Sequence, residues 1–230
     1  MNDMITQLTT AGVVISLVSY GIGTTLKQKT GMAIFNPLLV SILLTMAVLL
    51  AFRIDYDAYY SSAKYLSYLL TPATVSLAIP LYMKFEVLQK NIAAIIGGVL
   101  AGVLTSLGSI LAMALLFGLS HAEYVTLLPK SITTAIGMGV SEELGGYVTI
   151  SVAVIIITGV LGNVSAEFIC KFFKIHNPVS RGLAIGSAAH AIGTSKAMEM
   201  GETEGAMSSL AIVVAGLCTV VFASVFANFL

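Results

Sequence analysis

Residues 127–140 read LLPKSITTAIGMGV, and residues 69–82 read LLTPATVSLAIPLY. Each stretch sets proline and hydroxyl side chains inside apolar sequence. Proline interrupts a helix because it lacks the N–H and its ring crowds the preceding turn. Aligned on Pro72 and Pro129, the segments also match Thr74 with Ser131, Val75 with Ile132, Ser76 with Thr133, Ala78 with Ala135, Ile79 with Ile136 and Pro80 with Gly137. A glycine-bearing apolar run follows each, IIGGVLAG at 95–102 and IITGVLG at 156–162. The same unit, a broken segment and then a helix, is therefore expected twice, over about residues 65–118 and 125–174. A helix broken at membrane depth leaves backbone groups unsatisfied unless they pack in protein or line a cavity. Repeated breaks of this kind point to a transporter binding site. A pair of proline-kinked helices without a ligand is the plainer alternative.

The surrounding composition places these segments in lipid. Of 230 residues, 57% are hydrophobic and 10% charged, with a mean hydropathy of +0.98, whereas soluble domains carry about 25% charge. Uncharged runs cover 4–26, 30–52, 65–83, 91–120, 144–166 and 205–230. Each approaches or exceeds the roughly 20 residues that cross a bilayer as a helix. The expected fold is an all-α polytopic membrane protein, residues 1–230 forming one integral membrane domain. It would have six to eight membrane segments, two of them proline-broken and re-entrant as an inverted repeat. Long continuous runs exclude barrel strands, which would alternate over about ten residues. No removable signal peptide is expected, because no basic segment precedes the first apolar run. Zero net charge gives no general attraction for nucleic acid. Asn36-Pro37 is read as a helix start, Gly98-x-x-x-Gly102 as a close-packing face, and Cys170 and Cys218 as packing residues.

Basic residues gather in cytoplasmic loops, so their placement discriminates topologies. Eight full crossings put Lys27, Lys29, Lys84, Lys90 and Lys196 on one face and Arg53, Lys64, Lys171, Lys174 and Arg181 on the other. That division is uninformative. Two re-entrant segments instead gather Arg53, Lys64, Lys84, Lys90, Lys171, Lys174 and Arg181 against Lys27, Lys29 and Lys196, with Lys130 inside a hairpin. The charges favour re-entry for 125–143 and leave 65–83 undecided.

Lys130 is the cation stranded in apolar sequence, where an ammonium costs roughly 2.5–3.5 kcal/mol on insertion scales. A small carboxylate would serve as its partner, with hydrogen bonds from Ser131, Thr133 and Thr134 and, by the repeat, from Thr74 and Ser76. A lysine snorkelling to the interface is the alternative. His190 lies in the small-residue run GLAIGSAAHAIGTSKAM, and histidine titrates near physiological pH. It is a candidate proton relay or anion contact, equally readable as a satisfied packing residue. Gly193, Thr194 and Lys196 join it as candidate contacts. Glu142 and Glu143 are candidate proton-coupling carboxylates or a solvated pair, and Glu199, Glu202 and Glu204 read as a solvated acidic loop. Scattered His121, His176 and His190 make no metal site, Ser61-x-x-Lys64 has none of the companion motifs of a hydrolase, and there is no phosphate-binding loop. The chain is therefore not read as an enzyme, and no cofactor is expected.

The segments NPLLVS (36–41), PATVSLAIPLY (72–82), LPKSITTAI (128–136), SEELGG (141–146) and RGLAIGSAAHAIGTSKAMEMGETEGAMSSLA (181–211) resemble the LrgB/CidB family in order along nearly the whole chain. The resemblance implies a multi-pass protein of the bacterial cytoplasmic membrane, associated with control of murein hydrolase activity and autolysis and often paired with an LrgA/CidA-type partner. It also implies likeness to the C-terminal part of the plastid glycolate/glycerate translocator. Ala135, Ala189 and Ser195-Lys196 depart from the family's usual proline, serine and Ala-Arg, departures that bear on substrate preference.

Two functions are expected from these readings. The first is a secondary transporter or facilitator of small monocarboxylates of the pyruvate, lactate, glycolate or glycerate type, the substrate class coming from the resemblance. The second is an antiholin-like regulator of murein hydrolase export or activity and of autolysis, acting by oligomerisation with an LrgA/CidA-type partner or by controlling a pore for murein hydrolases; a homo-oligomer in the lipid bilayer is expected in either case.

Overall fold

A computed structural model describes residues 10–31, 35–69, 72, 75–76 and 78–230. The backbone divides into two compact units, ending and beginning at Ser76 and Leu77. The first holds α1 (Ala11–Thr30), α2 (Pro37–Ala51) and α3 (Tyr56–Ala63), followed by a 3-10 turn over Lys64–Leu69. Pro37 opens α2 as expected, and the Asn36 carboxamide oxygen accepts the N–H groups of Leu38 and Leu39. Gly12 sits directly on α3, its N–H donating to Ser62 Oγ at 2.8 Å. The proline segment 69–82 straddles the two units, and its candidate Thr74 lies outside the described residues.

The second unit holds α4 (Ala78–Met83), α5 (Phe85–Lys90), α6 (Ile92–Phe117), α7 (His121–Leu127), α8 (Thr134–Glu143), α9 (Val148–Phe172), α10 (Pro178–Met200) and α11 (Glu202–Phe226). Every described element is a helix. Ile92–Phe117, Val148–Phe172 and Glu202–Phe229 are each long and apolar enough to cross a membrane, and Pro37–Ala51 is a shorter apolar helix. Their outward residues, such as Leu116, Leu161 and Leu217, are exposed and apolar, as a lipid-facing surface requires.

Residues 121–143 fold back on themselves. Ser120 caps α7, its Oγ accepting the Glu123 N–H while the Glu123 carboxylate accepts from Ser120. Those bonds, the side-chain one foremost, hold that carboxyl below the ordinary carboxylate range. α7 stops after about two turns at Leu128-Pro129, and α8 starts at Thr134 after an extended Thr133. Gly137 of the returning arm packs on Pro129, with no room for a Cβ against Ile155 of α9. At the open end, Thr126 Oγ1 accepts the Tyr147 N–H at 2.8 Å, and Ser151 Oγ bonds both the Thr126 carbonyl and Ser141 Oγ at 2.7 Å. Both arms thus return to the end of the unit where α6 stops and α9 starts. Gly145, at φ +81°, makes that tight turn; only glycine adopts such a φ without strain.

A second hairpin lies inside α10, where no proline announces it. The helix breaks at Ala189 (φ −129°, ψ 15°) and His190 (φ 42°, ψ −142°). On the first arm, Gly182 packs on Glu204 and Met207, and Gly186 packs on Ser208 and Ala211. On the second arm, Thr194 Oγ1 and Ser208 Oγ lie 2.7 Å apart, and Met198 packs on Gly205. Both arms therefore run along the same opening turns of α11, in opposite directions. This hairpin enters from the end where α9 stops and α11 starts, opposite to the first. The pair is antiparallel in the unit: α6 with the first hairpin, α9 with the second.

That break revises the charge map. A continuous α10 would carry Lys196 to the far end, whereas the folded-back helix leaves it beside Glu167 of α9 and Glu199, at 2.7 and 3.1 Å. Lys84, Lys90, Lys171, Lys174, Arg181 and Lys196 then share one end of the second unit, and Lys130 alone of its Lys and Arg residues lies at a hairpin tip. Glu204 also departs from the acidic-loop reading: its side chain is 8% exposed, with Arg181 Nη1 at 3.8 Å. The covering first arm of α10 puts it there.

In lipid, helix association rests on close contact by small residues more than on apolar burial. Gly186→Leu should therefore force the first arm off α11 and lower stability by about 1–3 kcal/mol or more. Gly97→Leu, which meets nothing within 4 Å, should change little. Thermal unfolding of the two variants in detergent checks this, and equal losses would contradict the packing.

Candidate functional site

The two hairpin tips approach the same stretch of α6 and α9. Gly102 and Ser106 stand four residues apart on α6 and so share a face. Ser106 Oγ lies 3.2 Å from Ser131 Oγ in the first tip. A Cβ on Gly102 would lie 3.1 Å from Ser187 Oγ, one turn before the second tip. On α9, Ile155 faces Gly137 of the first hairpin, and its carbonyl lies 3.0 Å from His190 Nε2 of the second. Gly159 and Gly162 leave room for the His190 ring and the Ala189 methyl. Ser106 is near the middle of α6, and Gly159 near the middle of α9. The tips thus meet at mid-depth.

Lys130 is half-buried at the first tip, and its Nζ donates to Ser131 Oγ at 3.0 Å. Ser131 is buried, while Thr133 and Thr134 are half-buried at the start of α8. The first backbone N–H groups of any helix lack intrahelical acceptors and carry partial positive charge. Those of α8 begin at Thr134, and those of the second arm of α10 begin at Ala191, so both half-helices present their N-terminal ends at mid-depth. Such ends attract anions.

His190 is 2% exposed and occupies a left-handed φ that costs a non-glycine residue roughly 1–3 kcal/mol. Thr194 Oγ1 donates to the His190 carbonyl at 2.9 Å, and Gly193 packs under Ala189. His190, Gly193 and Thr194 thereby form the second tip. The remaining described candidates have other partners or surroundings. Ser76 belongs to the first unit and donates to the Pro72 carbonyl. Lys196 is engaged by Glu167 and Glu199, and Glu142 and Glu143 are exposed at the outer end of α8.

Four further polar residues at the site are singled out by no motif in the sequence. Ser106 and Ser187 mark where the tips meet α6, and Ser208 bonds Thr194. Asn163 of α9 holds the second arm of α10, its Nδ2 donating to the Ile192 carbonyl at 2.6 Å and to Ser195 Oγ at 2.9 Å. The fold gives meaning to one sequence match that does not by itself predict a break: Ala135-Ile136-Gly137 and Ala191-Ile192-Gly193 repeat the same tripeptide just beyond each tip.

Oppositely entering broken helices, wrapped by apolar spans, define a polytopic helical membrane protein with a polar centre. The chain belongs to the LrgB-like family, whose profile matches residues 16–229. It is 36% identical over 220 residues, 95% of this chain and 96% of the relative, to the antiholin-like protein LrgB of Bacillus mycoides. The same identity and coverage hold for the proteins of that name from Bacillus cereus and Bacillus anthracis. No solved structure matches the chain.

Disulfides need Cβ atoms about 3.5–4.5 Å apart. With Cys170 and Cys218 replaced by alanine, the pair Ser106→Cys and Ser131→Cys should crosslink under mild oxidation, seen as one linked peptide by mass spectrometry. Leu104→Cys with Ser131→Cys should stay reduced, because Leu104 is exposed and, two residues from Ser106, lies on the opposite face of α6. Crosslinking in neither pair would remove the first tip from mid-depth.

Proposed function

We propose that the protein is an antiholin-like regulator of murein hydrolase activity and autolysis in the bacterial cytoplasmic membrane. The observation that carries this reading is the 36% identity along 95% of the chain to relatives named antiholin-like protein LrgB. It acts in this reading by assembling with copies of itself or with an LrgA/CidA-type membrane partner. Gly98 and Gly102 face Leu183 and Ser187 of the same chain, so the assembly surface is sought on the outward apolar faces instead.

A specific feature favours a second reading, facilitated passage of small monocarboxylates such as pyruvate, lactate, glycolate or glycerate. Two half-helix N-termini and the Lys130 ammonium occupy the mid-depth centre, an arrangement that suits an anion. Lys130 would anchor the carboxylate, with Ser131, Thr133 and Thr134 as hydrogen-bonding neighbours. His190 sits at the opposing tip. The two readings are compatible, because altered carboxylate flux changes the state of the cell envelope indirectly.

In a strain lacking this gene, the wild-type chain should restore the ordinary rate of autolysis; no effect on lysis would overturn the first reading. The same protein in liposomes should take up labelled pyruvate or glycolate if the second reading holds. Lys130→Ala should then lower uptake about 10- to 100-fold, as loss of a charge-assisted hydrogen bond of roughly 1.5–3 kcal/mol predicts. Unchanged uptake in that variant would remove Lys130 from the path.

A further inference from the structure

Between the start of α6 and the first arm of the second hairpin lies a groove of about 290 Å³, lined on one side by Asn91, Ala94 and Gly98 and on the other by Asn177, Ser180 and Ala184. We propose that this groove is a water-filled vestibule leading from the basic end of the second unit to the hairpin tips, with Ser187 over Gly102 as its inner gate. The proposal rests on the second reading above, in which the tips are a solute site.

Four observations carry it. The mouth is polar: Asn91 and Asn177 stand at the starts of α6 and α10, and Ser180 is exposed one turn inward. At about 30 Å³ per water, the groove holds several water molecules. Its course leads to the polar centre. Ala94, Gly98, Gly102 and Ser106 follow at four-residue steps along one face of α6. The groove's lining ends at Gly98 and Ala184; one turn further Ser187 Oγ lies against Gly102, and a turn beyond that Ser106 meets Ser131, to which Lys130 donates.

The opposite approach is shut. Thr126, Ser141 and Ser151 are each at most 2% exposed and hydrogen-bonded together across the open end of the first hairpin. Gly146 fits against Ser141 Oγ and Thr126, where a Cβ would lie 2.6 Å from the former. Finally, the groove opens at the end that gathers Lys84, Lys90, Lys171, Lys174, Arg181 and Lys196. Basic ends face the cytoplasm, and their field draws small anions to the mouth. The described conformation is therefore one gate short of open on the cytoplasmic side and sealed on the other.

Thiol accessibility in the full chain tests this, with Cys170 and Cys218 replaced by alanine. Single cysteines are placed in the groove (Ala184→Cys), on the lipid side of α6 (Ile96→Cys) and within the outer seal (Ser151→Cys). A membrane-impermeant methanethiosulfonate is applied to vesicles of each orientation. Ala184→Cys should react at least about tenfold faster than Ile96→Cys, since the reacting thiolate forms only where water reaches it, and only from the cytoplasmic face. Ser151→Cys should react from neither face. Equal slow reaction of Ala184→Cys and Ile96→Cys, or reaction of Ala184→Cys from the outside, would overturn the vestibule. Labelling without carboxylate uptake in liposomes keeps the vestibule and removes the carboxylate reading, whereas uptake without labelling does the reverse.

Discussion

A helix that breaks inside a membrane leaves several N–H and C=O groups with no partner and no water, at a cost of several kcal/mol for each. The second unit is organised around meeting that demand twice. At the first tip, Lys130 and Ile132 N–H groups turn back onto the Leu127 and Pro129 carbonyls. At the second, Thr194 serves the His190 carbonyl and Asn163 serves that of Ile192. Most of these bonds are local to the hairpins, and the one from Asn163 comes from α9.

Enclosure needs close approach, and glycine provides it where the arms touch the spans. Gly182 and Gly186 set the first arm of α10 on α11, while Gly159 and Gly162 of α9 receive the second tip. Hydrophobic burial alone would not select this arrangement, since lipid tails are as apolar as leucine. Shape and hydrogen bonding select it.

The class of fold and the first hairpin were legible because their causes are local. Uncharged runs have the length of a bilayer, and Pro129 interrupts a helix wherever it stands. The second hairpin was not, because nothing at Ala189-His190 forbids a helix. His190 takes a left-handed φ under tertiary constraint: the Ile155 carbonyl holds its ring, and the glycines of α9 leave it space. Lys196 and Glu204 were misplaced for the same reason, since their partners are set by the fold-back. Lys130 stood out as a charge in apolar sequence, whereas Ser106, Asn163 and Ser208 are single polar residues whose meaning comes from what faces them.

The LrgB-like membership ties this architecture to relatives named as antiholin-like proteins, and the paired hairpins give it a polar centre. The carboxylate reading rests on the hairpins entering from opposite sides. Sidedness of labelling at the outer ends of the four arms measures that most directly, using single cysteines at Ala122, Glu143, Ser180 and Glu199. Cysteines at 122 and 143 should react from one side of the membrane and those at 180 and 199 from the other. Reaction of 180 and 199 from opposite sides would mean that α10 crosses the bilayer, and would contradict opposite entry.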